Sequence, residues 1–284
     1  MSGQRIPASS APFPVVSLKI KNSGEVVRCT GSFVSSNTLI TAAHCFDPVA
    51  LACRNNHGCH RDLAKNLISF QSSYPSFLSI NEKSLSSDFK ILLHPSYKSL
   101  NDTGIDGYDK TNEDVALVIF PKENFSQSYI RVSEQKPSKG TRIWTYGAGM
   151  TAVKLFNNPE TGEAYNIEEH AGILNKKTSE ISEEPTNGLL QLQAQLVGKK
   201  VNSHLYELEI SRGLQVLSAD SGEPRISKRK ISGMGRNFTF SFFPTKKSSE
   251  NMEVSGKSVF TSLTTDSQKA FLNSARAFGG EVNF

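Results

Sequence analysis

The sequence predicts an all-β fold, arranged as barrels or a sandwich and finished by one C-terminal helix. Three observations predict it. Short apolar or alternating stretches recur along the chain, with Gly, Pro, Asn and Ser turn signals between them. No strand–helix–strand alternation of the kind that builds a parallel sheet is present. Only after Thr265 does the apolar spacing lengthen to helical intervals, at Phe271, Leu272, Ala275 and Phe278. A chain of 284 residues can bury one large core or two of roughly 100–150 residues each.

Each element follows from its residues. Residues 1–12 are rich in Ser, Pro and Ala and read as an extended lead-in. The segment 14–20, Pro-Val-Val-Ser-Leu-Lys-Ile, alternates as a strand does, and Asn22-Ser23-Gly24 supplies a hairpin turn. The β pattern continues at 26–34 and 38–42, and 46–66 is a loop insertion with a short helix at 62–66. The run 115–120 is wholly apolar and directly follows an acid, Asp114. Residues 121–140 carry Pro, Lys, Glu and Ser and form a crossing between two domains. A strand restarts at 142–149. Asn157-Asn158-Pro159, Glu183-Glu184-Pro185 and Thr186-Asn187-Gly188 then punctuate a polar stretch, so 150–186 is expected to be a long surface loop. Strands follow at 189–197, 203–210, 225–234, 238–243 and 259–263. Thr265 is the N-cap of a helix over about 265–279.

Composition excludes several classes. A hydrophobic content of 37% with 21% charged residues describes a globular chain and not a disordered one. The net charge of +5 is scattered, and Lys228-Arg229-Lys230 is short and has no interleaved aromatics. It reads as a solvated hairpin face, so no nucleic-acid partner is expected. No apolar run approaches the ~18–20 residues that cross a bilayer, so no membrane span is expected. The opening Met-Ser-Gly-Gln-Arg-Ile-Pro lacks the hydrophobic region of a signal peptide: either an export signal has been removed or the protein is not exported by that route. Cys29, Cys45, Cys53 and Cys59 permit three disulfide pairings, which would imply an oxidising compartment. A metal site at Cys53, His57, Cys59 and His60 is the rival, with a spacing compressed relative to ordinary zinc modules.

Three motifs carry chemistry. Thr41-Ala42-Ala43-His44-Cys45 places a histidine just after a strand, which on its own usually marks a satisfied core or surface residue. Asn112-Glu113-Asp114-Val115-Ala116-Leu117 places an acid ahead of an apolar strand. Ala219-Asp220-Ser221-Gly222-Glu223-Pro224 flanks a serine with an acid and a glycine. In this order the three resemble the chymotrypsin-like (trypsin-fold) serine peptidases, whose chain order is His, Asp, Ser.

The resemblance extends to the chain between them. Residues 14–18 are similar to the family's first barrel strand, and Ile91-Leu92-Leu93-His94-Pro95-Ser96-Tyr97 to a strand ending in its His-Pro-x-Tyr turn, which makes His94 structural. The polar stretch 98–112 resembles the exposed loop that leads to the catalytic acid, and Tyr146 stands where a tryptophan is usual. The family implies two antiparallel six-stranded β-barrels with a C-terminal helix. The first, over 13–133, would carry His44 and Asp114; the second, over 134–284, would carry Ser221 and the helix. It also implies a Cys29–Cys45 disulfide, leaving Cys53 and Cys59 to close a small loop.

The implied roles are specific. Ser221 is the nucleophile, His44 the base that takes its proton, and Asp114 the acceptor that fixes the imidazole tautomer. The backbone N–H groups of Ala219 and Ser221 form the oxyanion hole, where losing one donor costs about 10²–10³ in turnover. Two departures stand out: Ala219 and Glu223 replace the glycines of the usual Gly-Asp-Ser-Gly-Gly-Pro. Alanine reaches a glycine's backbone angles only at a cost, and Glu223 must find water or a cation, Arg225 and Lys228 being near in sequence. Asp220 resembles the acid that binds a freed N-terminus, here Ile6 after cleavage at Arg5; the bland alternative is an ordinary tail. Gln215 is expected at the base of the primary pocket and carries no charge, so no strong preference for Lys or Arg is expected.

The leading reading is a secreted or periplasmic serine endopeptidase acting as a monomer on proteins or peptides, open to proteinaceous inhibitors, and needing no cofactor or metal. The alternative is a pseudopeptidase that binds protein, with Ala219 and Glu223 recording a dismantled oxyanion hole; a serine esterase and a small metal-binding module stand behind it. Glycosylation sequons occur at Asn101, Asn124 and Asn237.

Overall fold

A computed structural model describes residues 4–5, 15–22, 25–46, 68–71, 89–97, 113–121, 128–147, 152–157, 164–169, 175–180, 189–200, 205–213, 224–247 and 251–284. Their strands form two antiparallel sheets. β1 (Gln4–Arg5) belongs to the second sheet. The first is built from β2 (Val15–Asn22), β3 (Glu25–Phe33), β4 (Thr38–Thr41), β5 (Ile68–Gln71), β6 (Lys90–Leu93) and β7 (Ala116–Ile119). Its spatial order is β5-β2-β3-β4-β7-β6.

Both faces of this sheet are covered, so β4 and β7 are buried at every position, the threonines of β4 included. All four residues of β4 are buried, as are all four of β7. Leu39, Ala116 and Val118 enter one cluster with Leu18, Phe33 and Phe46, whereas Ile40, Leu117 and Ile119 enter a second on the opposite face. Each fully buried side chain of this size contributes roughly 1.5–3 kcal/mol. Phe33 and Phe89 both meet the Phe120 ring at tilted angles, with centroids 5.8 and 6.1 Å away.

The second sheet comprises β1, β8 (Arg142–Gly147), β9 (Ala152–Asn157), β10 (Ala164–Glu169), β11 (Asn175–Glu180), β12 (Leu189–Lys200), β13 (Leu205–Gly213), β14 (Pro224–Ser227), β15 (Lys230–Lys247) and β16 (Asn251–Ser262). Between the sheets, residues 128–134 are held by backbone bonds. Val132 N–H donates to Asn283 O (2.7 Å), Ser133 N–H to Ile231 O (2.7 Å) and Ile231 N–H to Arg131 O (2.8 Å).

The helix α1 (Asp266–Ser274) starts at Thr265, whose hydroxyl accepts the Gln268 N–H at 3.2 Å. A 3₁₀ turn, Ala275–Phe278, extends it, and Gly279 stops it at φ 86°, a left-handed angle that suits glycine. Phe271, Leu272 and Ala275 face inward and join the second cluster. The helix thereby packs on the face of the first sheet that carries Ile40, Leu117 and Ile119, in one cluster with Tyr146, Ile226 and Ile231 of the second. Among the described residues no helix is long and apolar enough to cross a membrane.

The structure departs from the sequence reading in several places. The second sheet has ten described strands where six were expected. The four extra ones are β1 and, within the segment read as a surface loop, β9, β10 and β11. An antiparallel ladder needs only main-chain groups, so polar residues do not prevent it, and Asn158-Pro159 falls between β9 and β10. β1 pairs with β11 inside the extended lead-in, Arg5 lying opposite Asn175. β5 was not foreseen. The helix expected at 62–66 lies outside the described residues.

The strand read as 225–234 is broken by a tight turn. Ser227 pairs with Lys230, so Lys228 and Arg229 form a two-residue hairpin loop, exposed, with φ of 48° and 64°. Positive φ at both positions is the turn that Asn-Gly fits best, and a side chain held there costs about 1–2 kcal/mol per residue. Lys228→Asn with Arg229→Gly is therefore expected to raise Tm by about 2–4 °C. Thermal unfolding followed by circular dichroism checks it, and a lowered Tm would contradict this turn geometry.

Candidate active site

The site is built where β4 ends and β7 begins. The two strands are antiparallel, with Thr38 opposite Ile119 and Thr41 opposite Ala116. The residues that follow Thr41 and those that precede Ala116 must therefore emerge at the same edge of the sheet. After Thr41 the chain tightens into a 3₁₀ turn, Ala43–Phe46, in which Ala43, Cys45 and Phe46 are buried and His44 alone faces outward. Alanines at 42 and 43 are both fully buried, so the turn lies flat against the sheet.

Two further links fix this turn. Thr41 Oγ1 donates to Thr30 O at 2.8 Å, tying the end of β4 to β3. Cys45 is bonded to Cys29 on β3, across 16 residues of chain. Covalent attachment of the residue next to His44 limits how far the imidazole can drift.

Asp114 reaches the same edge from β7. Its side chain is only 2% exposed and that of His44 is 15% exposed. Oδ1 accepts the His44 backbone N–H at 2.9 Å, while Oδ2 lies 2.7 Å from His44 Nδ1. A buried carboxylate needs such donors, because an unsolvated charge without partners is expensive. With Nδ1–H donating to the carboxylate, the neutral imidazole carries its lone pair on Nε2. The pair can therefore accept a proton at Nε2 and stabilise the resulting cation through Asp114.

The other side of Asp114 is held by the β6 turn. His94 N–H donates to Val115 O at 3.1 Å, and Val115 N–H donates to Glu113 O at 2.8 Å. His94 is buried, with Nδ1 accepting the Ser96 N–H at 3.2 Å and Nε2 lying 3.2 Å from Ser267 Oγ. Its ring meets Phe271 edge-on at 4.9 Å. Tyr146, on β8, is buried in the second cluster, and burial pushes its phenol above the usual value. It is thus neutral in any ordinary buffer.

Cys29, Cys45 and His44 bring three candidate metal-binding atoms within 4.8 Å of one another. Their sulfurs are bonded to each other, and a disulfide offers no thiolate to a cation.

Of the residues singled out in the sequence, His44, Asp114, Cys29 and Cys45 are brought together. Ser221, Ala219, Asp220, Gln215, Glu223, Ile6, Cys53 and Cys59 lie outside the described residues, as do His57 and His60. Sequence reasoning missed the contacts that Glu113 and Gln268 make at this edge. The signal for Gln268 was present as Thr265-x-x-Gln268, a capping-box pattern.

A family model described as Trypsin matches residues 1–234. No curated protein sequence matches the chain. Among solved structures, the scabies mite inactivated protease paralogue S-I1 is similar at 13% identity and a TM-score of 0.54, over 99% of this chain and 100% of that one. Neuropsin, a serine protease expressed in the limbic system of mouse brain, is similar at 13% identity and a TM-score of 0.54, over 98% and 99% of the two chains. At these identities the likeness is one of fold.

Proposed function

The chain belongs to the trypsin family, and on that premise we propose that it is a serine endopeptidase working through His44, Asp114 and Ser221. The observation that supports this reading is the buried Asp114 carboxylate gripping both the main chain and the ring of His44. Nε2 of His44 takes the proton of the Ser221 hydroxyl as Oγ attacks the scissile carbonyl, then returns it to the leaving amine. The acyl-enzyme is hydrolysed by water activated in the same way. Backbone N–H groups of Ala219 and Ser221 stabilise the oxyanion. The two sheets correspond, in this proposal, to two barrels over 13–133 and 134–284. The protein acts as a secreted or periplasmic monomer on protein or peptide substrates, and Cys53 pairs with Cys59. Gln215 gives the primary pocket a neutral base, and Asp220 awaits the amine of Ile6.

A second reading is favoured by one specific observation, the Ala219-Asp220-Ser221-Gly222-Glu223-Pro224 motif with its two lost glycines. In it the chain is a non-catalytic binder, and the inactivated mite paralogue illustrates that the fold persists without activity.

Intact-mass analysis after fluorophosphonate treatment separates the two readings. It is applied to the full chain, to a chain beginning at Ile6, and to Ser221→Ala. One adduct on the first two, fuller on the chain beginning at Ile6 and absent from Ser221→Ala, is the expected result. Labelling of the shortened chain alone assigns activation to Asp220. No adduct on either folded form moves the conclusion to the binder.

A further inference from the structure

We propose that the first turn of α1 braces the Asp114 segment through Glu113, which makes Gln268 a positioning residue for the His44–Asp114 pair. The inference deepens the hydrolytic reading and rests on it only for its rate measurement.

Gln268 carries a polar side chain and is nevertheless fully buried. In a capping box the glutamine three residues after the N-cap turns back to the N-cap N–H. Here only half of that exchange is made. Thr265 accepts the Gln268 N–H, but the Gln268 amide reaches across to Glu113, its Nε2 donating to Oε2. Its own Oε1 has no hydrogen-bond partner among the described residues. A leucine would fill this position without leaving a buried acceptor unsatisfied. What the amide supplies instead is a grip on a residue 155 positions away in the chain.

Glu113 is the immediate neighbour of Asp114, and its carboxylate is only 19% exposed. It is gathered from two sides. Gln268 holds Oε2 from the helix, and His94 Nε2 stands 3.6 Å from the same oxygen. Since His94 Nδ1 accepts the Ser96 N–H, the proton of the neutral ring is on Nε2, the nitrogen that faces Ser267 and Glu113. The carboxylate also lies against the first helical turn, whose dipole favours a negative charge.

The grip on the side chain is transmitted through the backbone. Glu113 O accepts the Val115 N–H at 2.8 Å, closing a three-residue turn with Asp114 at its centre. Val115 O in turn accepts the His94 N–H. Asp114 thus leaves the backbone from a turn clamped on both flanks, and a shift of Glu113 changes the direction in which it points. Sub-ångström aim matters there, because a misplacement of about 1 Å in a reacting site can cost about 10²-fold in rate.

A double-mutant cycle of Glu113→Ala and Gln268→Leu tests the brace, with circular dichroism and Tm confirming that each variant folds. Two quantities are read: kcat against KM on a peptide substrate, and the low-field proton resonance of His44 Nδ1–H. Each single variant is expected to lower kcat about tenfold with KM unchanged, the size of one hydrogen bond to a charged partner. Each is also expected to shift or broaden the resonance. The double variant should lose about tenfold and not about a hundredfold, because both changes break one contact. Glu113→Gln keeps an acceptor for the Gln268 amide and should restore both readouts. Losses that multiply, or a resonance that stays in place in Gln268→Leu, would overturn the brace. The resonance is read without turnover, so its result stands whether or not Ser221 accepts the fluorophosphonate.

Discussion

Asp114→Asn is expected to lower kcat by about 10⁴ with KM within about twofold of the parent, the effect of an imidazole held in the wrong tautomer. The structure explains why so small a change is so damaging. Both carboxylate oxygens of Asp114 are engaged, one by the His44 N–H and the other by the ring. Asparagine has one acceptor for these two donors. If its oxygen stays on the backbone N–H, its amide N–H₂ points at Nδ1 and forces that nitrogen to become the acceptor. The proton then resides on Nε2, where the lone pair is required. Burial makes the conflict strict, since at 2% exposure no water can take the place of a lost partner. For the parent, the rate should rise from pH 5 to pH 8 as His44 loses the proton that occupies Nε2. Steady-state kinetics against pH on both proteins checks this, and a variant within tenfold of the parent would remove Asp114 from the mechanism.

The second large effect concerns the scaffold. Cys29→Ala with Cys45→Ala removes a buried cross-link that closes a loop of 16 residues, which constrains the unfolded chain by about 3 kcal/mol. At about 2–4 °C per kcal/mol for a protein of this size, Tm should fall by about 6–12 °C. The consequence for the site is separate from this global loss. Cys45 directly follows His44, and with the tether gone the 3₁₀ turn is held by Thr41 and by the Asp114 contacts alone among the links described. A fall in kcat measured well below the new Tm, beyond any fall in the folded fraction, is therefore also expected. Calorimetry and kinetics on the same preparation separate the two. A Tm within about 2 °C of the parent would show that the cross-link closes a loop already ordered in the unfolded chain.

Much of the first sheet was legible in the sequence because burial dictated it. The run after Asp114 had to be a strand with both faces covered, and its residues divide alternately between two clusters. The His44–Asp114 pairing was legible only through the order of motifs, since the contact spans 70 residues and leaves no local trace. The 3₁₀ turn at Ala43–Phe46 was not legible: Ala42-Ala43 continues an apolar run, and only the register against β7 shows where the strand must stop. The strands between 152 and 180 escaped for a different reason. β11 is wholly polar, so hydrophobic periodicity cannot report its main-chain ladder, whereas Val153, Leu155 and Phe156 of β9 form a short apolar run hidden among turn signals. Gln268 was hidden by its own motif, because a capping glutamine gives no sign that its amide is used elsewhere.

The β4–β7 ladder has a consequence for the order of assembly. The β2–β3 hairpin joins neighbours in sequence, with Asn22 opposite Glu25, and can close within microseconds. The β4–β7 ladder must instead gather ends separated by a long loop, a step whose entropy is lost before any contact rewards it. The His44–Asp114 pair lies at the end of that ladder and so is brought together only once β4 and β7 pair. Chains in which that ladder is still open thus hold His44 apart from Asp114, and the pair appears together with the ladder.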